Sequence, residues 1–166
     1  MGTMPAALEQ GSIQAAMHYD PFVMQVVGAG KGFLIFDMTT EADTHRLYGT
    51  DYPFMGPLTR RDVVRSNPEV VQRMVNALVA SQRFLQSRPL EDVAAALPAD
   101  FEAGGEIYRR SLEHTFPALS PDGRVTPEEV GTVLRALVDA GALPPGTEIR
   151  PEEVLDLRFL ERALAR

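Results

Sequence analysis

From Asn67 onward the sequence carries a pattern that only a helix satisfies: Val71, Met74, Val75, Leu78 and Leu85 recur at three-, four- and seven-residue steps. Pro68 suits the first turn of that helix, and Asn67 stands where a cap belongs. The stripe reads as the face turned to the core. Further helices are predicted over Leu90–Leu97, Glu106–His114, Pro127–Ala140 and Pro151–Ala165, with proline and glycine marking each gap. Thr126-Pro127-Glu128-Glu129 is a capping box in which Thr126 bonds the backbone of Glu129 and Glu129 reaches back.

Before Asn67 the pattern is different. Pro5–Gln10 reads as a brief helix stopped by Gly11, and Ile13–Met17 is too short for a helix but suits a buried strand. Pro21–Val27 starts a second helix, "GAGKG" (Gly28–Gly32) ends it, and "FLIFDM" (Phe33–Met38) reads as a second strand. A polar, irregular span is expected over Thr39–Asp51, and "YPFMGPLTRRDVV" reads as extended, its prolines confining it to edges or bends. The fold class implied is α/β, a short α/β portion followed by a mostly helical one, in a chain of 166 residues, about one ordinary domain.

Charge and composition exclude several functions. A net charge of −7 without any basic cluster argues against nucleic acid or an anionic membrane surface as partner. The absence of cysteine removes disulfides, thiolate nucleophiles and thiolate metal sites. "MGTMPAALEQGSIQ" has neither a positive n-region nor a continuous apolar core, so the chain as given reads as one that stays in the cytoplasm or lacks its beginning. "GAGKG" follows a helix rather than opening one and lacks the Ser or Thr of a phosphate loop. His18, His45 and His114 are scattered without metal-ligand spacing, and Ser66, Ser81, Ser111 and Ser120 sit in no nucleophile elbow. "DGRVTPEE" (Asp122–Glu129) matches the second half of a calcium loop, but Ala118 and Ser120 stand where the first carboxylates belong, so a turn plus a helix cap is the expectation. No metal, no cofactor and no catalytic residue is expected.

What remains is the corner in "GSIQAAMHYDPFV", where an apolar run stops at His18, Tyr19 and Asp20. An apolar strand that buries its length presents its carboxyl end at a rim, and ligands of open α/β sheets bind at such ends. Tyr19 offers a flat face and a hydroxyl, while His18 and Asp20 offer hydrogen bonds. The alternative is that Asp20-Pro21 only initiates a helix and Tyr19 is core. Tyr52 and Phe54, in the proline-bounded stretch, complete the candidate ligand-binding set.

The order of "AALEQGSIQAAMHYDPFVMQVVGAGKGFLIFDM", "LTRRDVVRSNPEVVQRMVNALVASQRFLQ" and "SPDGRVTPEEVGTVLRALVDAGAL" resembles the C-terminal half of the substrate-binding proteins of ABC importers, in the nitrate, sulfonate and taurine (NMT1/THI5-like) group. The resemblance covers nearly the whole chain; Gln14 stands where the family commonly has Asp. It implies a partial periplasmic-binding-protein type 2 fold, with residues 1–20 ending the second lobe at a hinge corner and residues 21–166 forming the C-terminal part of the first lobe with its helical tail. It further implies a non-enzymatic protein that takes a small organic or inorganic anion, or a pyrimidine-like solute, in an interlobe cleft at the corner of His18–Pro21. Intact relatives work in the periplasm and deliver the solute to an ABC permease. A cytoplasmic small-molecule sensor or dimeric remnant of the fold is the alternative. The thiamine-pyrimidine synthase branch is less favoured, because its cysteine-rich segment has no counterpart here. Two apolar strands without the other half of their sheets imply a homodimer joined through the N-terminal portion.

Overall fold

The structure, a computed structural model, describes residues 3–98 and 105–166. The chain forms two compact units, one from Met1–Thr40 with Arg88–Leu119 and one from Glu41–Ser87 with Ser120–Arg166.

The first unit holds α1 (Thr3–Glu9) and α2 (Phe22–Gly28) from its early segment. Its later segment supplies α6 (Leu90–Ala95), α7 (Gly105–Thr115) and a 3-10 turn at Phe116–Ala118. Helix α7 receives both α2 and α6, and α1 leans on α2. Val93 of α6, 2% exposed, and Ser111 of α7, whose hydroxyl donates to the Ile107 carbonyl at 2.8 Å, are buried. Gly11 ends α1 at a φ of 72°, a conformation that glycine alone adopts without strain.

The predicted helix at Pro5–Gln10 and that at Pro21–Val27 are both present, shifted by a residue or two. The strands predicted at Ile13–Met17 and Phe33–Met38 are not: neither stretch is assigned to a strand, and no strand occurs among the described residues. The reason is pairing. A strand is defined by its ladder, and the N–H groups of residues 14–17 and 33–35 donate to no backbone carbonyl among the described residues. Where α/β was expected, the described residues are thus helices joined by turns and extended stretches, without a sheet.

The second unit is built on α5 (Pro68–Ser87), preceded by α3 (Glu41–Tyr48) and α4 (Arg61–Ser66). It is completed by α8 (Pro127–Asp139), α9 (Pro151–Val154) and α10 (Arg158–Leu164). Helix α10 packs along α5, and Val79, Phe159 and Ala163 are buried at 3–4% exposure. Glutamines reinforce this contact: Gln72 Nε2 donates to the Phe159 carbonyl at 2.9 Å, and Gln86 Nε2 to the Pro121 carbonyl at 2.8 Å. Arg162 lies 4.8 Å above the Phe159 ring.

Several expectations need correction here. The packed face of α5 is turned from the predicted stripe: Val71, Val75 and Leu85 are half-buried, but Met74 is 60% and Leu78 39% exposed, while Gln72 and Gln82 bond inward. Asn67 starts α5 through its carbonyl, which accepts from Val70 and Val71, while its side chain donates to Ser66 Oγ. The span expected to be irregular contains α3, whose Glu41 and Asp43 lie in the first turn and His45 and Arg46 in the last, matching the helix dipole. The extended stretch ends at Arg60, and α4 begins at Arg61. The single helix expected at Pro151–Ala165 breaks at Leu155, in extended conformation, after which Asp156 accepts from the Arg158 backbone and guanidinium. The capping box is present as expected, with Thr126 Oγ1 accepting from Glu129 N at 3.2 Å and Glu129 Oε2 accepting from Thr126 N at 2.8 Å.

Candidate functional site

The corner at His18–Pro21 sits in the first unit, just before α2. His18, Tyr19 and Phe22 form a small aromatic group: the His18 ring centroid lies 4.5 Å from Phe22 and 4.8 Å from Tyr19. His18 is half-buried, and its Nδ1 accepts from the Tyr19 backbone N–H at 2.9 Å, which fixes the ring against the chain. Tyr19 is 55% exposed and presents its ring outward, so it is not core.

Asp20 does something else. Its side chain is 8% exposed, and Oδ2 lies 2.7 Å from His114 Nδ1 while Thr115 Oγ1 donates to the same oxygen at 3.2 Å. Its other oxygen accepts from the Met24 N–H in the first turn of α2. On the far side of the imidazole, His114 Nε2 lies 2.9 Å from Asp37 Oδ2. Asp37 in turn accepts from the Thr39 backbone and hydroxyl at 3.0 and 2.7 Å. One ring therefore bridges two carboxylates contributed by residues 94 and 77 positions away.

The electrostatics follow from this arrangement. Burial opposes the His114 imidazolium, but the hydrogen bonds and charges of Asp20 and Asp37 outweigh it, and its pKa lies above the ordinary histidine value. Burial likewise raises Asp37, yet its bonds from Thr39 and His114 win and hold the carboxyl below the usual range. The cluster is a latch in which one imidazole ring ties two carboxylates together. It joins the corner, the end of α7 and the stretch after Phe33. Nothing in the sequence signalled His114 for this role, since its partners stand in separate segments.

Tyr52 and Phe54 belong to the second unit. Tyr52 stacks on Tyr48 of α3 with centroids 4.3 Å apart, and burial together with Tyr48 raises its pKa. Phe54 is 56% exposed. Within the same unit a shallow cavity of about 320 Å³ lies between α3 and α8, lined by Leu47, Tyr48, Thr132, Arg135, Ala136 and Asp139. Among the described residues no group of His, Asp and Glu is arranged to hold a metal ion. Asp122 is engaged by the Arg124 backbone and guanidinium, and Arg124 forms a second, two-pronged pair with Glu161 at 3.1–3.2 Å.

Comparison with known proteins adds the following. The model of the NMT1-like family matches residues 1–98, which include all five candidate residues. A solved structure of a protein from Bordetella bronchiseptica RB50 is similar at a TM-score of 0.82 and 27% identity, over 97% of this chain and 51% of that one. The chain thus spans about half the length of that protein. Among curated proteins there is no match.

Proposed function

Because the chain belongs to the NMT1-like family, we propose that it acts in solute binding, as a substrate-binding protein of an ABC-type nitrate, sulfonate or bicarbonate importer or as half of one. The solute is a small anion or a pyrimidine-like molecule, handed to a membrane permease and not chemically changed. The observation that carries this reading is the family match over residues 1–98, with an exposed Tyr19 at the corner that the sequence singles out.

In this reading Tyr19 and His18 contact solute directly, Tyr19 with its ring face and hydroxyl. Asp20 positions them, because its carboxylate is spent on His114, Thr115 and Met24. Within the second unit, Tyr52 and Phe54 are proposed as solute contacts on aromatic grounds. Copies of the chain associate as a homodimer through the first unit, whose Phe33 and Ile35 are exposed.

A thermal-shift panel of nitrate, bicarbonate, alkyl sulfonates and pyrimidines tests the reading. One class should raise the melting temperature by several degrees when present well above its Kd, since ligand bound to the native state adds RT ln(1 + [L]/Kd). A flat response across the whole panel counts against solute binding by this chain.

A further inference from the structure

The two nitrogens of the His114 ring face two carboxylates, Nδ1 at 2.7 Å from Asp20 Oδ2 and Nε2 at 2.9 Å from Asp37 Oδ2. An ionised carboxylate can only accept, so both contacts are hydrogen bonds only while each ring nitrogen carries a proton. An uncharged imidazole has one N–H. Its other nitrogen then turns a lone pair toward a carboxylate oxygen, and that contact becomes repulsive. One of the two contacts must give when the ring loses a proton.

The surroundings decide which. Asp20 is the deeper carboxylate, at 8% side-chain exposure against 23% for Asp37. It also accepts from Thr115 Oγ1, the neighbour of His114 in α7, and from the Met24 N–H, both at 3.2 Å. Stripping a donor from the more buried group costs more, because water reaches it less easily. Asp37 keeps the Thr39 backbone and hydroxyl as donors, and these belong to its own stretch of chain. Thr39 Oγ1 stands 3.4 Å from His114 Nε2, but its single proton is given to Asp37 Oδ1 at 2.7 Å.

We propose that His114 is a pH-controlled fastener: on losing a proton it keeps Nδ1–H and the bond to Asp20 and gives up Asp37, so the stretch ending at Asp37 loses this hydrogen bond to α7 while the corner at His18–Asp20 keeps its own. The other charges nearby are engaged elsewhere. Helix α2 carries none. Helix α6 brings Glu91 and Asp92, of which Glu91 acts on Arg109. Along α7, Glu113 and Glu106 engage Arg109, and Glu106 also engages Arg110. The groups that act on His114 are Asp20 and Asp37, and together they raise its pKa, so the bond to Asp37 is complete below the ordinary histidine value and is given up as pH climbs through the higher one.

The protonated nitrogen can be read directly. The chain has three histidines, and His18 is a control within it: its Nδ1 accepts from the Tyr19 N–H, so its neutral ring carries the proton on Nε2. Long-range proton–nitrogen NMR spectra of the full chain from pH 5.5 to pH 9.5, assigned with His18→Gln and His45→Gln, should show neutral His114 as the Nδ1–H tautomer and neutral His18 as the Nε2–H tautomer. Asp37→Asn offers Nε2 an amide donor in place of an acceptor, so the neutral ring keeps both bonds and the His114 midpoint should fall by about one pH unit or more. Asp20→Asn leaves Asp37 as the remaining carboxylate and should move the neutral proton to Nε2. Circular dichroism checks that both variants fold, and the tautomer of the unmodified chain stands as a test without them. Neutral His114 protonated on Nε2 in the unmodified chain overturns the choice of Asp37 as the bond released. An unchanged midpoint in folded Asp37→Asn overturns the fastening itself.

Discussion

Tyr19 and Asp20 are neighbours with opposite commitments, and substitution should separate them. Tyr19→Ala removes an exposed ring and should leave the melting temperature within about a degree, since surface changes cost within ~0.5 kcal/mol. Calorimetric titration with whichever solute the panel identifies should show affinity falling at least tenfold. His114→Ala removes the ring that ties Asp20 to Asp37, and should cost about 1–2 kcal/mol in urea unfolding, less than a fully buried ion pair because the cluster is partly exposed. The pH dependence has two arms. His114 is raised in the folded state, so its contribution is complete below the ordinary histidine pKa near 6.5 and is lost as pH climbs through the higher folded value. Asp37 is depressed, so its contribution is present above the ordinary carboxylate pKa and fades as pH drops through the folded value. Urea midpoints measured from pH 4 to pH 9 should therefore fall on the alkaline side in the unmodified chain. In His114→Ala that alkaline decline should disappear.

Among the elements, those with local causes were legible in sequence. The capping box of α8 needs only residues three apart, and its hydrogen bonds are the ones expected. Thr126→Ala should cost about 1 kcal/mol, read as a shift in the urea midpoint at constant slope. The turn before it has its acidic group tied to Arg124, so added calcium should leave the melting temperature unchanged, and a clear rise would reverse that reading of Asp122–Glu129. What sequence could not show was set by distant partners. The rotation of α5 depends on α10, because Gln72 faces inward only where the Phe159 carbonyl waits for it. Apolar spacing alone cannot express that. The two strand readings failed for the same reason, since Ile13–Met17 and Phe33–Met38 have strand character but no ladder partner among the described residues. Of the candidate site, Tyr19 was readable as a polar aromatic at a rim. The burial of Asp20 against His114 was not, because 94 residues separate them.

At the scale of the whole molecule, net charge and exposed apolar surface act against each other. The chain carries a formal −7 at pH 7 with an isoelectric point near 5.0, so repulsion between molecules fades as pH approaches that value. Phe33, Ile35, Met17 and Leu58 remain exposed to drive association. Static light scattering should therefore rise most steeply near pH 5, and Phe33→Glu should reduce that rise. The order in which the chain is made is a separate matter, and it follows from the way each unit draws on two stretches of sequence. During synthesis Met1–Thr40 must wait for Arg88–Leu119, and Glu41–Ser87 must wait for α10. Neither unit can close as its first stretch leaves the ribosome, so both remain open to chaperones or proteases through much of translation. A polypeptide stalled ahead of Phe159 would release α5 with its inward glutamines and Val79 uncovered.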